Sequence, residues 1–432
     1  MAQLYKTYLV CVLCSVFCVL SAKAEITFRG AWIATVANID WPTPEAVGNT
    51  GMQQQEMLFL LDSLHAIGIN AIIFQIRPTS DALYRSEYEP VSHWLTGKQG
   101  SWEGTWGKQM NQCENEKISK CLDPLEWTIE QAHARDMEVH VWLNPYRVNL
   151  NKTDTSILSA DHVMRHHPEW FWEYAKQWYF DPGLDVTRDW ICMIVQDIVS
   201  RYDIQAIHMD DYFYPYPVGG KPLPDTRTFN RYPRGFTDIS EWRRNNVNMA
   251  VRDIRNTIRE CKPDVQFGIS PFGVWRNASV DSTGSATRAG ITNYDDLYAD
   301  IRLWIQNGWI DYVLPQLYWE IGKPVADYEI LAHWWANEVR NTGCRLYIGM
   351  APYKLEGSPA QSTKTTKTNP WFIGNEIARQ MRLNRTIPEI TGECFYSTRP
   401  LLRNPRHVCD SIRSFYSADY TPDNTPILLP WE

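Results

Sequence analysis

Eight short runs of β-forming residues alternate along this chain with stretches of helical period. Each run is largely apolar and ends in polar or aromatic residues; the runs are 28–34, 70–76, 138–143, 204–210, 265–270, 311–317, 345–350 and 392–397. The amphipathic stretches are 52–67, 125–135, 186–202, 240–260, 294–307, 327–341 and 406–415. Such alternation favours right-handed βα units in one parallel sheet, and eight strands close that sheet into a barrel. We therefore predict the α/β class and a single (β/α)8 TIM barrel.

Long irregular stretches follow five of the predicted strands. They are 84–120, 149–185, 212–236, 275–292 and 353–369. Segments that follow parallel barrel strands lie at the C-terminal face of the barrel, where active sites are built. We expect these long βα loops to wall a substrate cleft at that face.

The first 24 residues have the pattern of a signal peptide. Lys6 precedes an apolar run over 9–20, and Ala22-Lys23-Ala24 supplies a small-residue cleavage site. We expect cleavage after Ala24 and export to the periplasm or the extracellular space. The apolar run is shorter than the roughly 20 residues that a membrane-spanning helix needs, and no later segment is apolar enough, so we expect no membrane span. The barrel domain is then predicted over 25–419, and 420–432 is predicted to be an extended C-terminal tail.

Charge and cysteine usage narrow the classes of partner and cofactor. The formal net charge is −8 and the basic residues are dispersed, which disfavours nucleic acid as a partner. Cys113 and Cys121 flank a short polar stretch and are candidates for a local disulfide in an exported protein. His162 and His166 have the spacing of two zinc ligands but lack the HExxH pattern, and glycine-rich phosphate loops and GxSxG elbows are missing from the sequence. We expect neither a metal nor a cofactor.

The segment 207–215 places two adjacent acids, Asp210 and Asp211, at the end of the fourth predicted strand. Strand alternation directs His208 and Asp210 toward the barrel axis and leaves Asp211 at the strand tip. Four aromatic or proline residues follow, and this environment solvates charge poorly, so the acids need partners or a chemical task. One of them could instead cap a loop or pair with an arginine such as Arg77. The pattern favours a catalytic acid here and leaves open which of the two it is.

Cleavage of a glycosidic bond generally needs a second carboxyl group opposite the first. Adjacent aspartates diverge, so we expect the second group on another strand. Glu320 follows the sixth strand beside Tyr318 and Trp319, where apolar walls would raise its pKa as a general acid requires. Glu393, inside the eighth strand, is the alternative.

Polar and aromatic side chains recur at the other strand ends, as a site for sugar hydroxyls would require. The predicted substrate-binding residues are Arg77, Asp81, Asn144, Tyr146, Arg147, His208, Tyr212, Trp275, Gln316, Tyr318, Trp319 and Tyr353. The chain has 20 tryptophans and 22 tyrosines, whose faces stack on sugars, although a large core would also use them. The predicted partner is an oligo- or polysaccharide.

Six motifs in order resemble those of the bacterial glycosyl-hydrolase-like family 10, which consists of exported barrel proteins. The motifs are Phe28-Arg-Gly-Ala-Trp-Ile-Ala-Thr-Val with Asp40-Trp-Pro, Gln75-Ile-Arg-Pro-Thr-Ser-Asp81, His140-Val-Trp-Leu-Asn144-Pro-Tyr-Arg147, Asp210-Asp-Tyr-Phe-Tyr-Pro, Ile269-Ser-Pro-Phe-Gly-Val-Trp275 and Pro315-Gln-Leu-Tyr-Trp-Glu320. The resemblance extends from about residue 26 to the last strand. It implies a glycosidase, with some members of the family acting on envelope glycans such as peptidoglycan strands stripped of their peptides.

The family is in turn similar to barrel glycosidases that take an aspartate nucleophile from the fourth strand and an acid from the sixth. That pattern falls on Asp210 and Glu320 here, with Asp211 as the rival nucleophile. Our hypothesis is therefore a glycoside hydrolase of an envelope, dietary or host polysaccharide. The alternative is a barrel protein of the cell envelope that binds glycans without cleaving them.

Overall fold

A computed structural model describes residues 25–103, 105–106, 123–150, 155–356 and 369–416. Three sequence predictions lie outside the described residues: the signal peptide over 1–24, the disulfide between Cys113 and Cys121, and the tail over 420–432.

Ten strands occur in the described part of the chain. They are β1 (Phe28–Ile33), β2 (Ala71–Arg77), β3 (Glu138–Leu143), β4 (Phe171–Tyr174), β5 (Gln177–Phe180), β6 (Ala206–Met209), β7 (Gln266–Ile269), β8 (Tyr312–Val313), β9 (Arg345–Met350) and β10 (Ile390–Phe395). Eight of them pair in parallel into a closed barrel with the order β1-β10-β9-β8-β7-β6-β3-β2. Each of these eight overlaps one of the predicted runs, with β2 ending one residue later and β10 beginning two residues earlier than predicted, so the predicted (β/α)8 fold is confirmed.

Helices connect the barrel strands and form the outer layer. The α-helices are α1 (Thr50–Ala66), α2 (His93–Thr96), α3 (Pro124–His133), α4 (Val163–His166), α5 (Asp185–Arg201), α6 (Thr226–Arg231), α7 (Ile239–Cys261), α8 (Asn293–Asp296), α9 (Ile301–Gln306), α10 (Tyr328–Val339), α11 (Pro370–Ile373), α12 (Glu376–Asn384), α13 (Thr398–Leu402) and α14 (Val408–Tyr416). Five short 3-10 helices lie at Val36–Asn38, Pro44–Ala46, Pro168–Trp170, Pro352–Glu356 and Pro405–His407. Within the described ranges, no helix has both the length and the apolar character needed to cross a membrane.

Side-chain alternation along the strands divides the core into two parts. In β2, Ile72 and Phe74 point outward into a large core shared with the helices, while Ala71 and Ile73 point into the barrel. Trp32 and Tyr312 also fill the barrel interior. Because the strands alternate in this way, polar residues near their C-terminal ends are directed toward the axis at one face.

An antiparallel hairpin of β4 and β5 pairs with the start of the loop that follows β3. The backbone N–H of Phe180 donates to the carbonyl of Tyr146 at 2.9 Å, and Arg147 forms a β-bridge with Tyr179. The hairpin thereby fixes the backbone that carries several predicted site residues.

Candidate active site

A cleft of about 380 Å³ opens at the C-terminal face of the barrel, where the sequence places it. Its polar lining comes from the ends of five strands and consists of Gln75, Arg147, Asp210, Asp211, Ser270 and Gln316. Its aromatic lining consists of Trp32, Trp142, Tyr212, Tyr318 and Tyr396. A larger cavity of about 550 Å³ lies beside α1 and α13, but among the described residues its lining has one carboxyl group, that of Glu56, and none of the polar residues at the strand ends. The cleft is therefore the candidate active site.

Asp210 and Asp211 follow β6 directly and reach the cleft for the reason that strand alternation predicts. Ile207 and Met209 pack in the outer core, so His208 and then Asp210 point inward. The backbone N–H of Tyr212 donates to Asp210 at 3.3 Å as the chain turns away. Both carboxyl groups belong to residues that are only 4% exposed.

Asn144, at the end of β3, holds the Asp210 carboxyl group. Its Nδ2 lies 2.8 and 2.7 Å from the two carboxyl oxygens. Its Oδ1 accepts hydrogen bonds from Gln75 at 2.8 Å and from Arg147 at 3.0 Å, which fixes the orientation of the amide. Burial raises the pKa of Asp210, while the Arg147 charge and the Asn144 donor act against this rise.

Asp211 has fewer compensating partners. The hydroxyl of Tyr216 donates to its Oδ2, and Gln316 supplies a second hydrogen bond. Burial, followed by repulsion from Asp210, raises the pKa of Asp211 to about 7. Near neutral pH the pair therefore tends to retain one proton, and Asp211 is the member that favours it.

Aromatic rings form a wall on the side of the cleft that faces β8 and β10. Tyr318 and Tyr396 lie nearly parallel, with ring centres 6.0 Å apart, and Trp32 meets Tyr396 edge-on at 6.0 Å. Tyr353 packs its ring edge-on against both tyrosines and is 36% exposed. On the opposite side, the Arg147 guanidinium covers the ring of Tyr212 at 5.1 Å.

The loop that carries Tyr396 is tied to the loop after β1 by Asp40, which is fully buried. One carboxylate oxygen of Asp40 accepts from the Ser397 hydroxyl at 2.9 Å and from the Arg399 N–H at 2.8 Å. The other accepts from the Ala34 N–H at 2.8 Å. Burial nevertheless raises the pKa of Asp40 to about 6.

The prediction for Glu320 requires a correction. Its environment lowers its pKa, whereas the sequence led us to expect a rise. Its carboxylate pairs with Lys323 at 3.0 Å and accepts from the Trp371 indole at 2.9 Å, and these partners favour the ionised form. Glu320 is also absent from the residues that line the cleft. The chain leaves the regular strand after Val313, so alternation no longer predicts where a residue this far downstream will point.

Glu393, the alternative second carboxyl, points away from the cleft into the helical layer. It accepts hydrogen bonds from Asn384 at 3.0 Å and Tyr416 at 2.7 Å, and it pairs with Arg385 at 3.2 Å. Its partners come from α12, α14 and the segment after α12. Glu393 therefore holds parts of the helical layer together and does not line the cleft.

Several predicted ligands lie beneath the cleft. Arg77 is fully buried, pairs with Glu89 at 2.6 Å and donates to the carbonyls that follow β3, so it supports the loop and does not reach the cleft. Tyr146 is 1% exposed and lies in the outer core. His208 is fully buried inside the barrel, below the cleft.

Three further predicted ligands lie beside the cleft. Asp81 lines a neighbouring cavity of about 340 Å³ and accepts hydrogen bonds from Thr79 at 2.8 Å and Gln99 at 3.0 Å. Trp275 packs under Arg302 at 4.7 Å, and Trp319 packs against a phenylalanine ring. The structure brings Asn144, Arg147, Tyr212, Gln316 and Tyr318 to the two aspartates and leaves the other predicted ligands outside the lining.

The sequence reasoning missed four aromatic residues around the aspartates: Trp32, Trp142, Tyr396 and Tyr216. Trp32 and Trp142 lie on the inward face near the ends of β1 and β3, so alternation could have found them. Tyr396 directly follows β10 and could have been found in the same way. Tyr216 reaches Asp211 through a loop, for which strand alternation gives no signal.

Comparisons with known proteins relate the chain to glycosyl hydrolases. The family model described as glycosyl hydrolase-like 10 matches residues 27–367. The chain is 45% identical over 393 residues to glycosyl hydrolase YngK of Bacillus subtilis, covering 91% of this chain and 72% of that protein. It is 38% identical over 386 residues to glycosyl hydrolase DigH of Escherichia coli K12, covering 85% and 82%.

Two solved structures show the fold. The PgaB (BpsB) glycoside hydrolase domain from Bordetella bronchiseptica matches with a TM-score of 0.51 and 10% identity, covering 92% of this chain and all of that domain. The catalytic domain of β-amylase from Paenibacillus polymyxa matches with a TM-score of 0.52, 10% identity and the same coverage. At this identity the likeness concerns the barrel fold alone.

Proposed function

Because the chain belongs to the glycosyl hydrolase-like 10 family, we propose that it hydrolyses glycosidic bonds of an oligo- or polysaccharide bound above Asp210 and Asp211. The observation that supports this most is the aspartate pair itself. Two buried carboxyl groups share one cleft, and the pKa of Asp211 is raised to about 7. A carboxylic acid that keeps its proton near neutral pH can protonate the oxygen of a leaving sugar.

In this proposal Asp211 is the general acid and Asp210 is the carboxylate that orients the nucleophile. The Asp211 proton passes to the glycosidic oxygen as the bond from that oxygen to the anomeric carbon breaks. A water oxygen bonds to the anomeric carbon, and its proton passes to Asp210. The Arg147 charge and the Asn144 donor support the ionised state of Asp210 that this role requires.

The cleft offers the contacts that sugar rings use. Tyr212 and Tyr318 present aromatic surface, the Arg147 guanidinium offers N–H donors beside the two carboxyl groups, and Gln316 offers its amide oxygen as an acceptor. Aromatic faces stack on the C–H faces of sugars, while the polar groups select the hydroxyl pattern. These residues are the substrate-binding set of the proposal.

We further propose that the protein is exported and acts on a glycan outside the cytoplasm, either an envelope glycan or a dietary or host polysaccharide. The apolar run over 9–20 followed by Ala22-Lys23-Ala24 supports export. Sequencing the amino terminus of the protein recovered from its native host tests it. A mature chain beginning at Glu25 is expected, and retention of residues 1–24 would refute it.

A glycan panel with mass analysis of the products tests the reaction. The panel contains peptide-free peptidoglycan strands together with plant and host polysaccharides. We expect the wild type to release fragments from one glycan class and Asp210→Asn to release none while its melting temperature stays nearly unchanged. Asp264→Asn, at an exposed position far from the cleft, serves as the matched control. Full activity in Asp210→Asn would refute the proposed role.

One observation favours the second candidate, a protein that binds glycans without cleaving them. Among the described residues, Asp210 and Asp211 are the only carboxyl groups that line the cleft, so an opposed acid of the usual kind is missing there. Calorimetric binding of a panel glycan, with no product formed by the wild type, would support this candidate. Product formation that depends on Asp211 would exclude it.

A further inference from the structure

A continuous row of five polar side chains crosses the barrel from the cleft to the opposite face. The Ser270 hydroxyl lies 2.9 Å from His208 Nε2, and His208 Nδ1 lies 2.9 Å from the Tyr312 hydroxyl. The same hydroxyl lies 2.9 Å from His140 Nδ1, and His140 Nε2 lies 3.2 Å from a Glu138 carboxylate oxygen. Ser270 lines the cleft, whereas Glu138 begins β3 at the N-terminal face and has a side chain that is 51% exposed.

The two histidines in this row are neutral and carry one ring N–H each. His140, His208 and the Tyr312 between them are fully buried. Burial lowers the pKa of both imidazoles, most strongly for His208. A neutral imidazole has one donor nitrogen and one acceptor nitrogen, so each ring must donate in one direction along the row and accept from the other.

The protonation state of Glu138 determines the direction of donation along the row. Its carboxylate is ionised, because the hydrogen bond from His140 lowers its pKa, and a carboxylate only accepts. His140 must then carry its proton on Nε2, so its Nδ1 accepts the Tyr312 proton. The Tyr312 oxygen in turn accepts from Nδ1–H of His208, which leaves Nε2 of His208 to accept from the Ser270 hydroxyl.

At the cleft, this direction of donation commits the only proton of the Ser270 hydroxyl to His208. Among the described residues, His208 is the one side chain with which that hydroxyl forms a hydrogen bond. The Ser270 backbone is held by its own N–H, which donates to Met209 at 2.9 Å, and by Gln316, which donates to its carbonyl at 3.0 Å. The lone pairs that Ser270 has left can only accept.

We propose that Ser270 is a specificity-determining residue that accepts a hydrogen bond from an N–H or O–H group of the bound sugar, and that Glu138 fixes this polarity from the far end of the barrel. Ser270 is the residue that contacts the glycan, and Glu138 is a positioning residue. The sugar contact rests on the proposed function, whereas the polarity of the row does not.

The packing around Tyr312 shows that the barrel is built to hold this row. A Cβ atom at residue 268 would lie 1.8 Å from the Tyr312 ring, so Gly268, on the neighbouring strand β7, leaves the space that the ring occupies on its way to β6 and β3. Phe28 and Tyr347 pack against the same ring at 6.3 and 5.0 Å. A buried polar row in this apolar interior is stable only when every member is paired, which the single direction of donation achieves.

Nitrogen NMR of the imidazole rings in 15N-labelled wild type tests the polarity directly, because protonated and unprotonated ring nitrogens resonate far apart. We expect the proton of His140 on Nε2 and that of His208 on Nδ1. A proton on Nε2 of His208 would overturn the proposal.

A charge-reversed variant tests whether Glu138 sets the direction. Glu138→Lys replaces the acceptor by a donor, so we expect both histidines to switch tautomer. Asp264→Lys makes the same change of charge at an exposed position on the same barrel face and should switch neither. If Glu138→Lys does not fold, Glu138→Met removes the acceptor alone, and both tautomers of His208 should then be populated. An unchanged His208 in a folded variant would overturn the role of Glu138.

Kinetics on the panel glycan that the wild type hydrolyses test the contact made by Ser270. Ser270→Ala should raise KM roughly fivefold with a smaller change in kcat, the size expected for one lost hydrogen bond. Glu138→Lys should raise KM similarly, and the double variant should be no worse than Ser270→Ala alone. Additive effects would refute coupling through Ser270. If no glycan were hydrolysed, the proposed function would fail, and the tautomers would still decide the polarity of the row.

Discussion

The two aspartates after β6 are chemically equivalent in the sequence and differ in the fold. Asp210 meets the Arg147 charge and both of its oxygens lie within reach of Asn144, while Asp211 meets a tyrosine hydroxyl, an amide and the charge of its neighbour. Because like charges in a buried cleft disfavour double ionisation, the pair divides into one carboxylate and one acid. The difference in partners assigns the acid to Asp211.

The proposed role of Asp211 as general acid predicts how hydrolysis depends on pH. Asp211 must be protonated to act, and its pKa is raised to about 7. We expect kcat/KM to fall as pH rises above about 7, by about tenfold per pH unit, because the protonated fraction falls at that rate. Initial rates on the panel glycan between pH 5 and about 9 measure it. A profile that stays flat to the upper limit would show that Asp211 is not the acid.

The same shift predicts that Asp211→Asn stabilises the protein at alkaline pH. The carboxyl group has a higher pKa folded than unfolded, so the folded state holds its proton more tightly, and stability is lost as pH rises from about 4 to about 7. Above that range the variant should be more stable than the wild type by about 2 to 4 kcal/mol, and near pH 4 the two should be similar.

Urea unfolding at pH 8 and at pH 4 gives the two free energies of unfolding. The matched control is Asp264→Asn, whose carboxyl group is exposed, and it should show no pH-dependent gain. Equal stability of Asp211→Asn and wild type at pH 8 would contradict the uncompensated burial of Asp211.

Individual site residues could be predicted from the sequence only as far as the strands are regular. Asp210 and Asn144 were found because each stands just past a strand end and points inward. Glu320 was misjudged because Lys323, three residues further along the same loop, pairs with it. Arg77 was assigned to the cleft because the sequence gives no sign that Glu89 would reach it from the following loop.

At the scale of elements, the barrel strands were predictable and some connections were not. The stretch 294–307 has a continuous helical pattern, but it forms two short helices because Tyr298 between them has a φ of +54°. Helix α12 was missed because it has only nine residues, and three of its buried side chains, Glu376, Gln380 and Asn384, are polar. Local periodicity cannot reveal an apolar face that is interrupted in this way.

The β4–β5 hairpin was also missed, because its turn lacks the usual glycine. Ala175 and Lys176 both have positive φ, +50° and +69°, which is the conformation that Asn-Gly adopts most readily. Without that dipeptide, the segment is typical of an irregular loop. The hairpin nevertheless holds the backbone at Tyr146 and Arg147, next to the cleft.

Replacing Lys176 by glycine should therefore stabilise the hairpin. A side chain in the left-handed region costs about 1 kcal/mol relative to glycine, and the loss of backbone order offsets part of the gain, so we expect a rise of about 0.5 to 1 kcal/mol in the free energy of unfolding. Urea denaturation measures it. Glu173→Gly, at an exposed strand position of the same hairpin, should instead destabilise the protein. A loss of stability in Lys176→Gly would show that the turn is not strained.

At the scale of the whole molecule, the row from Ser270 to Glu138 joins the two faces of the barrel through its interior. Strand alternation predicted that His208 points inward, but not that Tyr312 would reach it from β8, across the intervening strand β7. Such a contact depends on the closure of the sheet, which places β6, β8 and β3 around one axis. Sequence patterns record the direction of each side chain and not its partner across a barrel.

Tyr312→Phe tests how much this row contributes to global stability. The phenylalanine ring keeps the packing against Phe28, while His140 and His208 each lose the partner of one buried ring nitrogen. Leaving buried polar atoms unpaired costs about 1 to 3 kcal/mol, so we expect a loss of that size in the free energy of unfolding, measured with urea at pH 7. Tyr347→Phe is the control, because its hydroxyl makes no hydrogen bond within the described part of the chain, and it should change stability by less than about 0.5 kcal/mol. Equal stability of the two variants would mean that the row is not a stabilising element and that the two imidazoles find other partners when Tyr312 is removed.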